Sequence, residues 1–326
     1  MSHEIPLRTP FFDHVDWCGT MNAHQELLDT TPDYADNRAL IEESASAYES
    51  GERRVARAEV VDIPVVVHVV YSNDEQNISD AQIYSQIEVL NRDFRKRNQD
   101  VINVPGVWQG IAADAHISFH LAATDPLNRP TNGITRTRTT VTGFSAPDPR
   151  ALDPEKRKGN QVKFTQSGGQ DAWPANAYLN IWVCRLNELL GYAQFPGGPG
   201  ATDGVVITYQ GFGTNGTATA PFNGGRTATH EVGHWLNLRH IWGDRKGCTG
   251  DDFVADTPNQ VGPNYGNQVF PHVTCGNGPN GDMFMNYMDY TDDAAMFMFT
   301  EGQVARMHST FDNARMTFTT PLAVLA

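Results

Sequence analysis

The chain has 326 residues, 40% of them hydrophobic and 19% charged, which suffices for a sizeable core in one or two domains. A formal net charge of −14 speaks against nucleic acid as a partner and suits calcium ions, basic substrates or simple solubility. No apolar run reaches the roughly 18 residues of a membrane-spanning helix, no signal peptide is visible from Met1 to Pro6, and four cysteines are too few for a disulfide scaffold.

Residues 1–57 read as an N-terminal segment of their own. Pro6, Pro10 and Pro32 punctuate it, and one Ala- and Glu-rich helix is predicted from Asn37 to Tyr48. It runs out in Ser50-Gly51-Glu52-Arg53-Arg54-Val55-Ala56-Arg57, a polar arginine cluster typical of an exposed, cleavable linker. Ile63 to Tyr71 is almost continuously β-branched, the mark of a buried strand. Ser79 opens a helix, Gln82 completes a capping box, and Ile83, Ile87, Leu90 and Phe94 form one apolar stripe. Ile117 to Leu121, Leu179 to Leu186 and Gly204 to Tyr209 are further strands, with a Gly/Pro/Asp-rich loop expected from Pro126 to Gly169. Tyr192-Ala193-Gln194-Phe195 reads as a short edge strand, extended by Leu189, Leu190 and Gly191 unless these are plain core. A helix begins near Arg226, residues 243–282 are irregular, and a last helix opens at Thr300 with Gln303 completing its capping box. Val304, Met307 and Phe311 lie on the inner face of that last helix.

The helix from Arg226 contains His230-Glu231-Val232-Gly233-His234 and continues to Asn237 and His240. One helical turn separates His230 from His234, so both imidazoles point the same way. Glu231 can reach a water beside them, which makes this the H-E-x-x-H arrangement of two metal ligands and a general base. The short motif also falls by chance on ordinary helices; His240 in register, as a third ligand beyond a turn, is what raises it to a zinc site. Three neutral imidazoles leave a fourth position open, as a catalytic zinc requires. His240 reaches the metal only if the helix ends at Asn237, where glycine is usual; asparagine is the next most tolerant of positive φ.

This spacing follows the metzincin pattern. Together with Asn286-Tyr287-Met288-Asp289-Tyr290-Thr291-Asp292-Asp293 and Cys18-Gly19-Thr20, it resembles the pappalysin branch of the metzincins, over about residues 60–315. The resemblance implies that Met288 sits in a turn below the zinc and that Tyr290 stabilises the oxyanion. Asp293 is implied at the base of the pocket for the residue after the scissile bond (P1′), selecting Arg or Lys. Cys18 is implied to be a cysteine switch on the zinc of a latent precursor, a free surface thiol being the alternative. A Cys248–Cys275 disulfide is implied too, closing about 27 residues for roughly 3 kcal/mol. Ala295 stands where the family's second bridge expects a cysteine, and Cys184 reads as inert core. Calcium is implied in the loop 250–258 at Asp252 and Thr257, with Asp251 and Asp256 as further candidates; a solvated acidic loop is the alternative.

The expected fold is α+β: a twisted mixed sheet of about five strands with an active-site helix and a backing helix, then a loop-rich C-terminal subdomain ending in a helix. The expected division is 1–57, 58–240 and 241–326. The expected function is a zinc-dependent endopeptidase, held latent by its own prosegment and activated by cleavage near Arg53–Arg57. Tyr192, Ala193 and Gln194 would hold an extended protein or peptide substrate by strand addition. A catalytically silent zinc-binding protein and a small-molecule amidohydrolase are the alternatives. Neither nucleic acid nor membrane is an expected partner, and a monomer is expected. Disulfide and calcium favour a secreted protein, against the missing signal peptide.

Overall fold

The computed structural model describes residues 16–52, 59–152, 157, 159–245 and 247–319. Arg53, Arg54 and Arg57, the expected cleavage region, lie outside the described residues.

The long strand β1 (Val61–Tyr71) organises the molecule. Along one side it pairs with β2 (Ile117–Leu121) and then with β3 (Ile134–Arg138), both parallel. On the other side lies β4 (Leu179–Cys184), also parallel, followed by β6 (Val205–Thr208). The antiparallel strand β5 (Gly191–Ala193) closes this edge, giving six strands in a mixed sheet. The sixth is β3, which falls in the stretch expected to be loop. Its sequence ITRTR has one apolar residue, so no burial signal marks it; the backbone of β1 recruits it. The edge strand is Gly191–Ala193 rather than 192–195: Gln194 N still donates to Gly204 O, and Pro196, with no N–H, cannot extend the ladder.

Two helices cover one face of the sheet. α3 (Asp80–Asp93) begins where the Ser79 hydroxyl accepts from Gln82 N. The box expected there is only half formed, since the Gln82 amide instead donates to Tyr209 O and Phe212 O. Beside it lies α4 (Arg226–Trp235), all but buried because it runs between sheet and C-terminal half. Arg226 fastens the pair: its guanidinium meets Asp93 at 2.8 Å, Asp100 at 2.9 Å and the Tyr287 hydroxyl at 2.6 Å.

Beyond residue 240 the chain is mostly irregular, as its Gly, Asp and Pro content predicts. The Cys248–Cys275 disulfide staples it, and a two-stranded pair, β7 (Tyr265–Gly266) and β8 (Tyr290–Thr291), lies within it. The last α-helix among the described residues is α5 (Glu301–Ser309), whose Thr300–Gln303 capping box is complete. Two N-terminal helices lie across this body. α1 (Thr20–Thr30), absent from the sequence expectation, packs beside β5, and α2 (Tyr34–Glu49) packs on α5. α1 has few large apolar residues and no capping side chain, which is why its sequence is quiet.

Candidate metal centre and its cleft

The end of α4 is what brings three imidazoles together. Asn237 takes φ 75°. Asn237 N donates to His234 O and Leu238 N to Gly233 O, each at 2.9 Å, which is the paired hydrogen bonding of a Schellman cap. The chain thus reverses within one turn and delivers His240 back to the helix.

His234 Nε2 lies 3.1 Å from both His230 Nε2 and His240 Nε2. Each opposite ring nitrogen has its own acceptor: Tyr287 O at 2.7 Å, Leu238 O at 2.7 Å, and Asp244 Oδ1 at 2.6 Å. Those acceptors fix the Nδ1–H tautomer, so three Nε2 lone pairs converge with no proton among them. Such a cluster is complete only around a cation. Cys18 Sγ joins it, all four donor atoms lying within 4.8 Å of one another. Three imidazoles and one thiol are the donor set of zinc. Burial keeps His230 neutral, its pKa pulled down to about 3, and pushes His234 down as well. Burial pulls His240 the same way, but Asp244 outweighs it and leaves the ring above its ordinary value.

The support beneath is built by close approach. Met288 is fully buried, and a Cβ on Gly233 would stand 2.6 Å from its sulfur. Only glycine lets the turn pack so near the helix. Ile241 N donates to Met288 O at 3.2 Å, tying the ligand loop to that turn. Asp289 secures it from outside, accepting from Asn264 N, Gln260 Nε2 and Tyr290 N. Trp242 stacks on His240 with centroids 4.4 Å apart and planes 6° from parallel.

The N-terminal segment fills the cleft. Gly19 N donates to Gly191 O at 3.0 Å and Leu190 N to Trp17 O at 2.9 Å, a parallel pairing on the free edge of the sheet. Thr20 Oγ1 accepts from Ala193 N at 2.8 Å and donates to Glu231 Oε2 at 3.0 Å. The Cys18 thiol faces the same carboxylate at 3.4 Å. Burial raises Glu231 to about 7, although Cys18 and Thr20 pull the other way. Tyr290, packed against the His240 ring at 5.0 Å, donates its hydroxyl to Asp16 Oδ1 at 2.7 Å. Trp17 sits edge-on to Phe222, and both line, with Asp293, a cavity of about 30 Å³. That holds about two waters and no side chain. Asp293 accepts from Gly224 N at 2.7 Å and Arg226 N at 3.2 Å, and burial raises it to about 6.

Other predicted positions fall elsewhere. The Tyr192 ring is buried behind the sheet with Trp182, so Tyr192 offers the cleft only backbone. The Gln194 side chain reaches Pro199 O and Thr202, away from the zinc ligands. In the loop 250–258, Asp252 is buried and both its oxygens accept from Thr257 Oγ1 at 2.9 Å. Asp251 is exposed, and Asp256 turns to the start of α5, accepting from Thr300 Oγ1 and Gly302 N. Asp16, Thr20 and Asp244 were not singled out by sequence reasoning. A carboxylate and a hydroxyl two residues either side of Cys18 were the available signal for the first two.

Residues 165–312 match the family described as Pregnancy-associated plasma protein-A. An extracellular metalloprotease of Verticillium alfalfae is 32% identical over 286 residues, covering 84% of this chain and 83% of its own length. A promirolysin mutant of Tannerella forsythia is 48% identical, with a TM-score of 0.81 over 93% of this chain and 96% of its own. Mature mirolysin of the same organism, bound to a cleaved peptide, is 53% identical, with a TM-score of 0.75 over 80% of this chain and 96% of its own.

Proposed function

From the premise that the chain belongs to the pregnancy-associated plasma protein-A (pappalysin) family of metzincins, as a latent zinc metalloendopeptidase, we propose that it cuts polypeptides before Arg or Lys once residues 1 to about 56 have been removed. The observation that carries this is the convergence of His230, His234 and His240 with Cys18, beside Glu231. The proposed division is a prosegment of 1–57, a catalytic subdomain of 58–240 and a C-terminal subdomain of 241–326.

His230, His234 and His240 would hold zinc, which when bound polarises the scissile carbonyl and makes water acidic enough to attack near neutral pH. Glu231 takes the proton of the attacking water and passes it to the leaving amine. Tyr290, freed of Asp16, donates its hydroxyl to the oxyanion. Ala193 N and Gly191 O, freed of Thr20 and Gly19, pair with the extended substrate. The reading assigns Asp293 to the basic side chain after the scissile bond, supported by its buried carboxylate in the lining of the cleft pocket.

In the precursor Cys18 would occupy the fourth position as a thiolate, the ion reversing the effect of burial on the thiol. Asp16 and Thr20 add to latency by engaging Tyr290 and Glu231. Calcium at Asp252 and Thr257 is part of the proposal, supported by the burial of the Asp252 carboxylate beside the Thr257 hydroxyl. Secretion is supported by the extracellular relatives and by the disulfide.

Incubating the purified precursor with zinc and calcium and sequencing the new N-terminus tests this reading, with Glu231→Gln as control. The expected result is a chain starting at Arg53, Arg54 or Arg57 and a Glu231→Gln protein that keeps its zinc and loses turnover by roughly 10²–10⁴-fold. Cleavage that ignores basic residues in a peptide library would remove the specificity.

A further inference from the structure

The prosegment contacts the body at a second place, remote from Cys18. Glu42 of α2 lies among three arginines. Arg38 is its own neighbour on α2 and leaves with the prosegment. Arg239, between Leu238 and His240, comes within 3.9 Å of Glu42, and Arg306 of α5 pairs with it directly. Arg306 also meets Glu49 at 3.2 Å. Among the described residues, every ion pair of Arg239 and Arg306 is with α2. Removal of the prosegment therefore leaves two neighbouring cations that no carboxylate among the remaining described residues pairs with.

Both guanidinium groups are held in place. Arg306 Nε donates to Asn237 O at 2.8 Å, and Arg239 and Arg306 stack on Phe253 at 4.7 and 5.7 Å. Phe253 is held at φ 60°, a left-handed conformation that a bulky residue adopts only where its surroundings compel it. Arg239 Nε is buried without a hydrogen-bond partner, a donor still to be filled.

Position gives this pair a meaning. The Asp293 pocket opens beyond Leu190, at one end of β5. The carboxylate that the arginines share marks the other end: Arg38, also on Glu42, covers Phe195 at 5.0 Å and donates to Pro196 O. A substrate whose P1′ residue enters the pocket must run its upstream residues along β5 toward Phe195. The four extended steps from Gly191 to Phe195 span roughly 13 Å. We propose that Arg239 and Arg306 form a cationic subsite of the processed enzyme that takes an acidic side chain three to five residues upstream of the scissile bond, and that Glu42 is its occupant in the precursor. This rests on the Asp293 pocket reading for its direction along the cleft.

The test uses processed enzyme and quenched peptides with Arg or Ala after the scissile bond, carrying Glu or Gln in turn at the third, fourth and fifth upstream positions. Glu is expected to raise kcat/KM about tenfold over Gln at one of these positions. In Arg239→Gln the Glu:Gln ratio should fall toward unity, whatever its overall activity. A synthetic peptide of residues 16–52 should inhibit in trans, and Glu42→Gln in it should weaken inhibition by a comparable factor. Equal rates for Glu and Gln at all three positions would overturn the subsite. A Glu preference that survives while Arg and Ala after the bond are cut alike would keep the subsite and remove the Asp293 reading.

Discussion

Asp293 is the residue whose chemistry reaches furthest beyond its own position. Its carboxylate is buried and raised to about 6, with two backbone amides and the nearby Arg226 pulling it down. Charge there is present above that value and is lost as pH falls through it. The rate of cleavage before Arg relative to Leu should therefore be full at pH 8 and decline below about pH 6, and in Asp293→Asn it should be low and flat with pH. Paired pH profiles on two peptides measure this. The zinc ligands and Glu231 were legible because they are contiguous in sequence and their chemistry depends on one helical turn. Asp244 was not: nothing in the chain tells an acid that meets His240 from one that meets water, and Asp16 had only its nearness to Cys18 to mark it.

Among the elements, α4 and its cap show how a local backbone rule sets a metal site. Asn237 at φ 75° lets the carbonyls of Gly233 and His234 find donors in the same turn that returns His240. Valine at that position is strained by about 1–3 kcal/mol, and the strain falls on the ligand loop. Asn237→Val should release zinc to a chelator far more readily than the parent, whereas Asn237→Gly should retain it, as chelator competition would read. Strands with apolar runs were predicted to within a few residues. β3 and α1 escaped because each is specified by what it pairs with: the backbone of β1 for one, the cleft edge beside β5 for the other.

For the molecule as a whole, one continuous core joins the sheet, α3, α4 and α5, whereas the segment between residue 240 and α5 has little regular structure. The Cys248–Cys275 bridge spans 27 residues of that segment, and closing such a loop is worth roughly 3 kcal/mol. Replacing both cysteines by serine should lower unfolding stability by that order in a denaturant titration, with the helix and sheet content of the folded protein unchanged. The order of elements and the metal chemistry were readable from the sequence. The way the N-terminal segment threads the cleft was not, because its contacts join residues about two hundred positions apart through single hydrogen bonds.

Trp242 lies flat against His240, one ring removed from the place where the three imidazoles converge. An indole in that position is an optical gauge built into the fold. Its contribution to emission should change as zinc loads the site, and the difference between the parent and Trp242→Phe, with the chain's other tryptophans common to both, would isolate it.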